Sequence, residues 1–145
     1  MKVVLQRVLS ASVSVDGAVV GTVGRGYLLL VGIASGDDQA TVRRLAAEVA
    51  KARLMADDQG KMGVNLRDAG GQALAVSQFT LLADFSKGNR PSFNGAAKPE
   101  IAKPLFELFV AELTTLQGRP VPTGVFGADM RVELVNDGPV TVIFE

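Results

Sequence analysis

The sequence contains no cysteine, no histidine and no tryptophan, and it has a single tyrosine. Without cysteine the chain can form no disulfide, no thiolate nucleophile and no Cys-ligated zinc site. Without histidine it can build neither a Ser-His-Asp triad nor imidazole acid–base catalysis, and most transition-metal sites are excluded. An enzyme of this composition must use carboxylates, hydroxyls, amines, backbone dipoles or groups on its own substrate. We therefore expect neither a metal ion nor a cofactor.

An excess of charge and a long apolar run are missing as well. The 15 basic and 15 acidic side chains cancel, which argues against a generally polybasic nucleic-acid binder, so any nucleic acid would be held by a local patch. The longest apolar run, at residues 27–34, has eight residues, whereas a membrane-spanning helix needs about 20. No basic-then-apolar leader is visible at the start. We expect a cytoplasmic protein with no membrane contact.

The 145 residues, of which 48% are hydrophobic, suit one compact domain over residues 1–145. Residues 3–15 alternate between apolar and polar, which predicts a strand with Leu9 on its inner face. Asp16-Gly17 predicts a type I′ hairpin turn, and residues 18–23 and 27–33 predict the next two strands.

The rest of the chain predicts two helices among further strands. Asp38 is the N-cap candidate of the first helix, and Gly118 ends the second, in which Ile101 and Leu116 are expected to face inward. The order βββ-α-β-α-ββ is typical of an α+β domain built on antiparallel sheet. The predicted elements are a helix that follows Asp38, has its apolar positions between 42 and 52 and is broken at residues 57–60, a strand over 72–80, a helix over 100–117, and strands over 130–135 and 140–144.

Three places break these patterns and are therefore candidate sites. The first is Arg7, which falls on the apolar face of the first strand. It is either a snorkelling side chain at a sheet edge or part of an interface ion pair, or it is an arginine whose planar fork holds backbone carbonyls or a phosphate near a site.

The second place is the polar end of a buried strand, formed by Ser77, Gln78, Phe79 and Thr80. Its hydroxyls could simply satisfy turn amides. Alternatively, backbone N–H groups here form an oxyanion hole and Thr80 supplies a hydroxyl.

The third place is residues 136–139, Asn-Asp-Gly-Pro, which predict a hairpin turn between the last two strands. Gly138-Pro139 is also a position where a cis peptide bond can occur. The irregular segment before the second helix carries Lys87, Arg90 and Phe93, which are either solvated or contact an RNA backbone with Phe93 as a stacking ring.

Taken together, these segments resemble bacterial D-aminoacyl-tRNA deacylases nearly from end to end. Two positions depart from the usual pattern of that family: Leu82 stands where tyrosine is frequent, and Gly63 where asparagine is common. The segments that carry the resemblance are Gln6-Arg7-Val8, Ala11-Ser12-Val13, Ser77-Gln78-Phe79-Thr80-Leu81, Lys87-Gly88-Asn89-Arg90-Pro91-Ser92-Phe93, Phe126-Gly127-Ala128 with Met130, and Asn136-Asp137-Gly138-Pro139-Val140-Thr141.

The resemblance implies a barrel-like α+β fold and a homodimer that hydrolyses the ester between a D-amino acid and the terminal ribose of tRNA, while rejecting L-aminoacyl-tRNA. The resemblance leaves open whether glycyl-tRNA is a second substrate. The resemblance also implies that residues 77–80 line the pocket. It implies that Gly138-Pro139 is cis, is inserted into the partner's site, and is held with help from Arg7 and Met130.

Two mechanisms remain open. Thr80 could form an acyl-enzyme, but no base is visible except Lys87, and that only if Lys87 is buried. Attack by water assisted by the terminal 2′-hydroxyl needs no protein base, and we favour it. Two other classes of function also remain: a non-catalytic RNA-binding domain, and an amidase or esterase of small molecules.

Overall fold

The computed structural model describes all 145 residues. It contains seven strands, two α-helices and one turn of 3-10 helix at Phe79–Leu82. No helix combines the length and the apolar character needed to cross a membrane. The elements in chain order are β1 (Lys2–Val15), β2 (Ala18–Val23), β3 (Gly26–Gly32), α1 (Gln39–Lys51), β4 (Met55–Ala56), β5 (Met62–Val64), β6 (Gln72–Ser77), α2 (Pro99–Gln117) and β7 (Arg131–Phe144).

Five of the strands form one curled sheet, a half-barrel organised around the long strand β1. One edge of β1 pairs with β3 along its first half and with β2 along its second half, and the other edge pairs with β7. All three pairings are antiparallel, whereas β3 and β6 run parallel. The predicted α+β fold is therefore confirmed, with one parallel pair added. The short ribbon of β4 and β5 was not predicted, because two- and three-residue strands leave no periodic pattern.

The hairpin between β1 and β2 forms as predicted. Asp16 and Gly17 both have positive φ, 50° and 80°, as a type I′ turn requires. The assignment of Leu9 to the inner face was wrong: Val8 is buried and Leu9 is exposed. The pairing of β1 with β7 shifts register on both sides of Val8, and such a bulge moves the following side chains to the opposite face.

The two helices pack together and cover the sheet around a core of 18 buried residues. The predicted N-cap is confirmed, since the Asp38 carboxylate accepts the Thr41 N–H at 2.9 Å. The expectation that Ile101 and Leu116 face inward was wrong, because both are exposed. The buried stripe of α2 instead follows the helical spacing through Ala102, Phe106, Phe109 and Leu113.

Truncating the buried stripe should destabilise the fold far more than truncating the exposed face of the same helix. Leu113 is 0% exposed and Leu116 is 37% exposed. We expect Leu113→Ala to lower the free energy of unfolding by about 2–5 kcal/mol. Leu116→Ala should cost well under half as much, because its surroundings already include water. Denaturant unfolding at equal protein concentration compares the two, and equal losses would contradict the assigned core.

The last two predicted strands are a single strand, β7, and the predicted hairpin between them was wrong. Val8 of β1 pairs with Asn136, and Gln6 pairs with Thr141, so both halves of β7 run along the same partner in the same direction. The chain does not reverse at residues 137–140. These residues instead leave the ladder as a local excursion, which exposes Gly138 and Pro139.

Candidate functional site

A cavity of about 570 Å³ opens beside the end of β6, between the start of α2 and residues 126–132. Of its 18 lining residues, 13 are hydrophobic. Its size and apolar lining are typical of sites for small organic groups, which usually have volumes of roughly 300–1,000 Å³. Four of the lining residues are aromatic: Phe79, Phe93, Phe106 and Phe126.

The polar end of the cavity lies where β6 stops. The strand ends at Ser77 rather than at residue 80, because a 3-10 turn begins at Phe79. The Gln78 N–H donates to the Val31 carbonyl at 2.8 Å, and the Leu81 N–H donates to the Gln78 carbonyl at 3.3 Å. Phe79 and Thr80 precede the first hydrogen bond of the turn, so their amides have no acceptor within it. The N–H groups of Phe79 and Thr80 are thus free to donate, directly after Ser77 and Gln78 in the cavity wall.

The Thr80 hydroxyl is not accompanied by a base. It accepts a hydrogen bond from the Gln78 Nε2 amide, and Thr80 itself is exposed and lies outside the cavity lining. Lys87 is also exposed, so it does not meet the condition of burial under which it could serve as a base. Burial raises the pKa of the Tyr27 hydroxyl to about 12, so this group stays protonated at neutral pH. Side-chain base catalysis therefore has little support in this arrangement.

The mouth of the cavity is marked by an aromatic pair and a basic loop. Phe79 is 56% exposed, and its ring meets that of Phe93 edge to face, with centroids 5.0 Å apart. The loop before Phe93 carries Lys87 and Arg90 and is closed by two backbone hydrogen bonds between Asp84 and Ser92. Both cations are exposed and neither lines the cavity.

The loop is stiffened at its first turn by Asp84. The Asp84 carboxylate accepts hydrogen bonds from the Ser86 N–H and hydroxyl, and these bonds lower the pKa of this carboxyl. The carboxylate is thus engaged with the loop itself, which holds the segment between Asp84 and Ser92 in shape.

Arg7 acts as a fork for backbone carbonyls, which was one of its two predicted roles. Its Nη1 donates to the Leu54 carbonyl at 2.8 Å, and its Nε donates to the Asp137 carbonyl at 3.1 Å. The Asp137 carboxylate lies 3.4 Å from the same Nε. Because the Arg7 side chain is only 14% exposed, these contacts fix the excursion of β7 to the body of the protein.

The segment that Arg7 holds carries Gly138 and Pro139, joined by a cis peptide bond. Gly138 has a φ of 133°, which side chains rarely adopt, and an added Cβ would come within 2.8 Å of a methyl group of Val140. Both residues of the dipeptide are exposed and lie outside the cavity lining of their own chain.

The predicted site residues therefore fall into separate groups. Arg7, Gly138 and Pro139 form an outer group on β1 and β7, while Thr80, Lys87 and Arg90 are exposed outside the cavity lining. The residues that the structure brings together in the cavity wall are Ser77, Gln78, Phe79, Phe93 and Met130.

Sequence reasoning missed one polar residue of the cavity, Lys98. It is the N-cap residue of α2 and the only charged residue in the lining. The Pro99 that follows it signals the start of a helix, but nothing in the local pattern indicates that the lysine faces a cavity.

Comparison with known proteins gives a consistent picture. The family described as D-Tyr-tRNA(Tyr) deacylase matches residues 4–145. The D-aminoacyl-tRNA deacylase of Dechloromonas aromatica is 52% identical over 145 residues, which cover 100% of this chain and 97% of that protein. The enzyme of the same name from Thermomicrobium roseum is 58% identical over 142 residues, which cover 98% of this chain and 92% of that protein.

Solved structures show the same fold. The c-Myc DNA Unwinding Element Binding Protein has a TM-score of 0.93 at 36% identity, and the match covers 100% of this chain and 98% of that one. A probable eukaryotic D-amino acid tRNA deacylase has a TM-score of 0.87 at 16% identity, and the match covers 99% of this chain and 97% of that one. This similarity shows a shared fold. The resemblance read from the motifs is confirmed over essentially the whole length, and the chain belongs to the D-Tyr-tRNA(Tyr) deacylase family.

Proposed function

We propose that the protein hydrolyses the ester that joins a D-amino acid to the terminal ribose of tRNA, releasing the free D-amino acid and tRNA. The observation that carries this proposal is an apolar cavity lined by Phe79, beside the Phe79 and Thr80 backbone amides that have no acceptor, in a chain of this family. Because the substrate is charged tRNA, we expect the protein to act in the cytoplasm.

The chemistry suits a chain without histidine or cysteine. In the proposed reaction, water adds to the ester carbonyl, the bond to the ribose oxygen breaks, and a proton passes to that oxygen. The amides of Phe79 and Thr80 stabilise the developing oxyanion, and each such donor is typically worth about 2.7–4 kcal/mol. The neighbouring 2′-hydroxyl of the ribose assists the water, which removes the need for a protein base.

We further propose that Gly138-Pro139 completes the site of a second copy of the chain. The dipeptide leaves the ladder, is exposed, and is held outside its own cavity by Arg7. Exposed apolar side chains, Leu9 and Val135, occupy the adjoining strands and would be covered in a dimer. Two-fold symmetry makes such an exchange reciprocal and yields two composite sites.

The inserted dipeptide provides the selection for D-substrates in this proposal. Its main-chain carbonyls meet the ammonium of the substrate, and its rigid backbone occupies the space that an L side chain would need. We expect the Met130 that lines the receiving cavity to contact it. Because glycine has no side chain to clash, we include glycyl-tRNA as a second substrate of the same reaction. We also expect Lys87, Arg90 and Phe93 to contact the acceptor end of tRNA.

The test of function compares D-tyrosyl-tRNA with the methyl ester of D-tyrosine, each with and without the purified protein. We expect accelerated release from the tRNA and no acceleration with the free ester. Binding of the tRNA without release would support a non-catalytic RNA-binding domain, and efficient cleavage of the free ester would support a small-molecule esterase. Either result would overturn the proposal.

The composite site predicts recovery of activity in mixed dimers. Phe79→Pro removes a donor from the cavity, and Gly138→Val distorts the inserted dipeptide, so each variant alone should have little activity. A heterodimer of the two retains one site with both parts intact. Random exchange at equal amounts should then restore about a quarter of the wild-type sites. No recovery after verified subunit exchange, or a fully active monomer, would contradict the exchange.

A further inference from the structure

Lys98 is a cation without a partner in the wall of the cavity. It is the only charged residue among the 18 that line it. Its ammonium takes part in none of the six ion pairs of the chain, and its side chain does not cap α2. The ammonium is therefore available to a ligand.

The backbone that carries Lys98 is fixed, although its side chain is exposed. The Ala97 N–H donates to the Ile33 carbonyl at 3.0 Å, and Ala96 forms a bridge with Ala34 at the end of β3. Pro99 favours an extended conformation at Lys98, which has φ −64° and ψ 150°. The lysine thus extends from a fixed stretch of backbone in a cavity lining that also includes Phe79.

The nearest acidic residue along the chain is not a suitable partner. Glu100 is two positions further on, in the first turn of α2, and residues two apart on a helix do not face each other. No acidic residue lines the cavity. No acidic side chain of this chain therefore neutralises the Lys98 ammonium.

The substrate of the proposed function, on which this inference rests, brings one anion to the cavity. When the ester of the terminal adenosine lies beside the backbone amides, neither the nucleoside nor its amino acid carries a negative charge. The phosphodiester on the 5′-oxygen is therefore the negative group nearest to the ester. In the proposed complex, that group lies where the nucleic acid leaves the apolar cavity. A lysine ammonium is a compact point charge that suits such a phosphate.

We propose that Lys98 binds the phosphodiester between the last two nucleotides of the tRNA and so positions the terminal adenosine in the cavity. This contact makes Lys98 a substrate-binding residue. It supplies part of the local positive charge that a protein with no net charge needs in order to hold an RNA end.

The test uses two small substrates that differ by one group: 3′-O-D-tyrosyl-adenosine and the same ester carrying a 5′-methylphosphate, which is a phosphodiester. Lys98→Ala should lower kcat/KM for the phosphodiester substrate about threefold to tenfold, mainly through KM, and leave the phosphate-free substrate unchanged. Lys98→Glu should lower it further, and Lys98→Arg should retain most of it. Lys51→Ala is the matched control, because Lys51 ends α1 and no residue of that helix lines the cavity.

The same variants on D-tyrosyl-tRNA provide a second readout. Removing one phosphate contact should reduce the slope of log kcat/KM against log salt concentration by about 0.7–0.9 for Lys98→Ala and by nothing for Lys51→Ala. Equal losses on both small substrates, or an unchanged salt slope, would overturn the role of Lys98 while leaving the wild-type activity intact. A wild-type protein that cleaves neither the small substrates nor D-tyrosyl-tRNA would instead overturn the proposed function, and this inference with it.

Discussion

Phe79→Pro is expected to lower the single-turnover rate of D-aminoacyl-tRNA hydrolysis about 10²–10³-fold below that of Phe79→Ala. Both variants lose the ring that contacts Phe93, but only proline also removes the N–H proposed to bind the oxyanion. Residue 79 is the first of its 3-10 turn, and the first position of a helical turn is where proline is best tolerated.

The comparison of these two variants isolates the contribution of the residue 79 backbone N–H to the rate. Thermal unfolding of both proteins checks that they remain folded, and Thr80→Ser serves as a control that leaves every amide in place. Equal rates for Phe79→Pro and Phe79→Ala would show that the residue 79 amide does not stabilise the transition state. The oxyanion would then need other donors.

Replacing the terminal 2′-hydroxyl of the tRNA with hydrogen is expected to lower turnover about 10²–10⁴-fold while the protein is unchanged. The reason is the lack of a protein base: Thr80 is exposed and accepts a hydrogen bond from Gln78, Lys87 is exposed, and Tyr27 lies outside the cavity lining, where burial raises its pKa to about 12. Binding of the deoxy substrate, measured by competition, should be nearly unchanged.

Thr80 variants separate the two mechanisms from the side of the protein. If Thr80 only orients the ester, Thr80→Ser should retain most activity and Thr80→Ala should lose part of it. An acyl-enzyme on Thr80, detected by mass spectrometry after rapid quenching, would falsify the substrate-assisted mechanism. Full activity on the 2′-deoxy substrate would contradict it as well.

Features with a local cause could be predicted from the sequence. Asp16-Gly17 specifies its turn through backbone preference alone, and Asp38 caps α1 through an oxygen three residues before its donor. The polar strand end at residues 77–80 stood out because it interrupts a buried apolar strand. Each of these depends on neighbours within a few positions.

Features set by distant partners could not be predicted in the same way. Asp137-Gly138 and Gly138-Pro139 are strong local turn signals, yet both flanks of this segment pair with β1, and that pairing keeps β7 continuous. The exposure of Leu9 has the same origin, because the register shift depends on the partner strand. The position of Lys98 in the cavity wall could not be predicted either, because the cavity is assembled from segments far apart in the sequence.

Selection of D-aminoacyl-tRNA is tested most directly by the release of tyrosine from one tRNA charged in parallel with D-tyrosine or L-tyrosine, followed under single-turnover conditions with the wild-type protein. The proposed insertion of Gly138-Pro139 leaves no room for an L side chain, so we expect D-tyrosine to be released about a hundredfold faster or more. Comparable rates of release for the two enantiomers would contradict a deacylase that selects D-aminoacyl-tRNA.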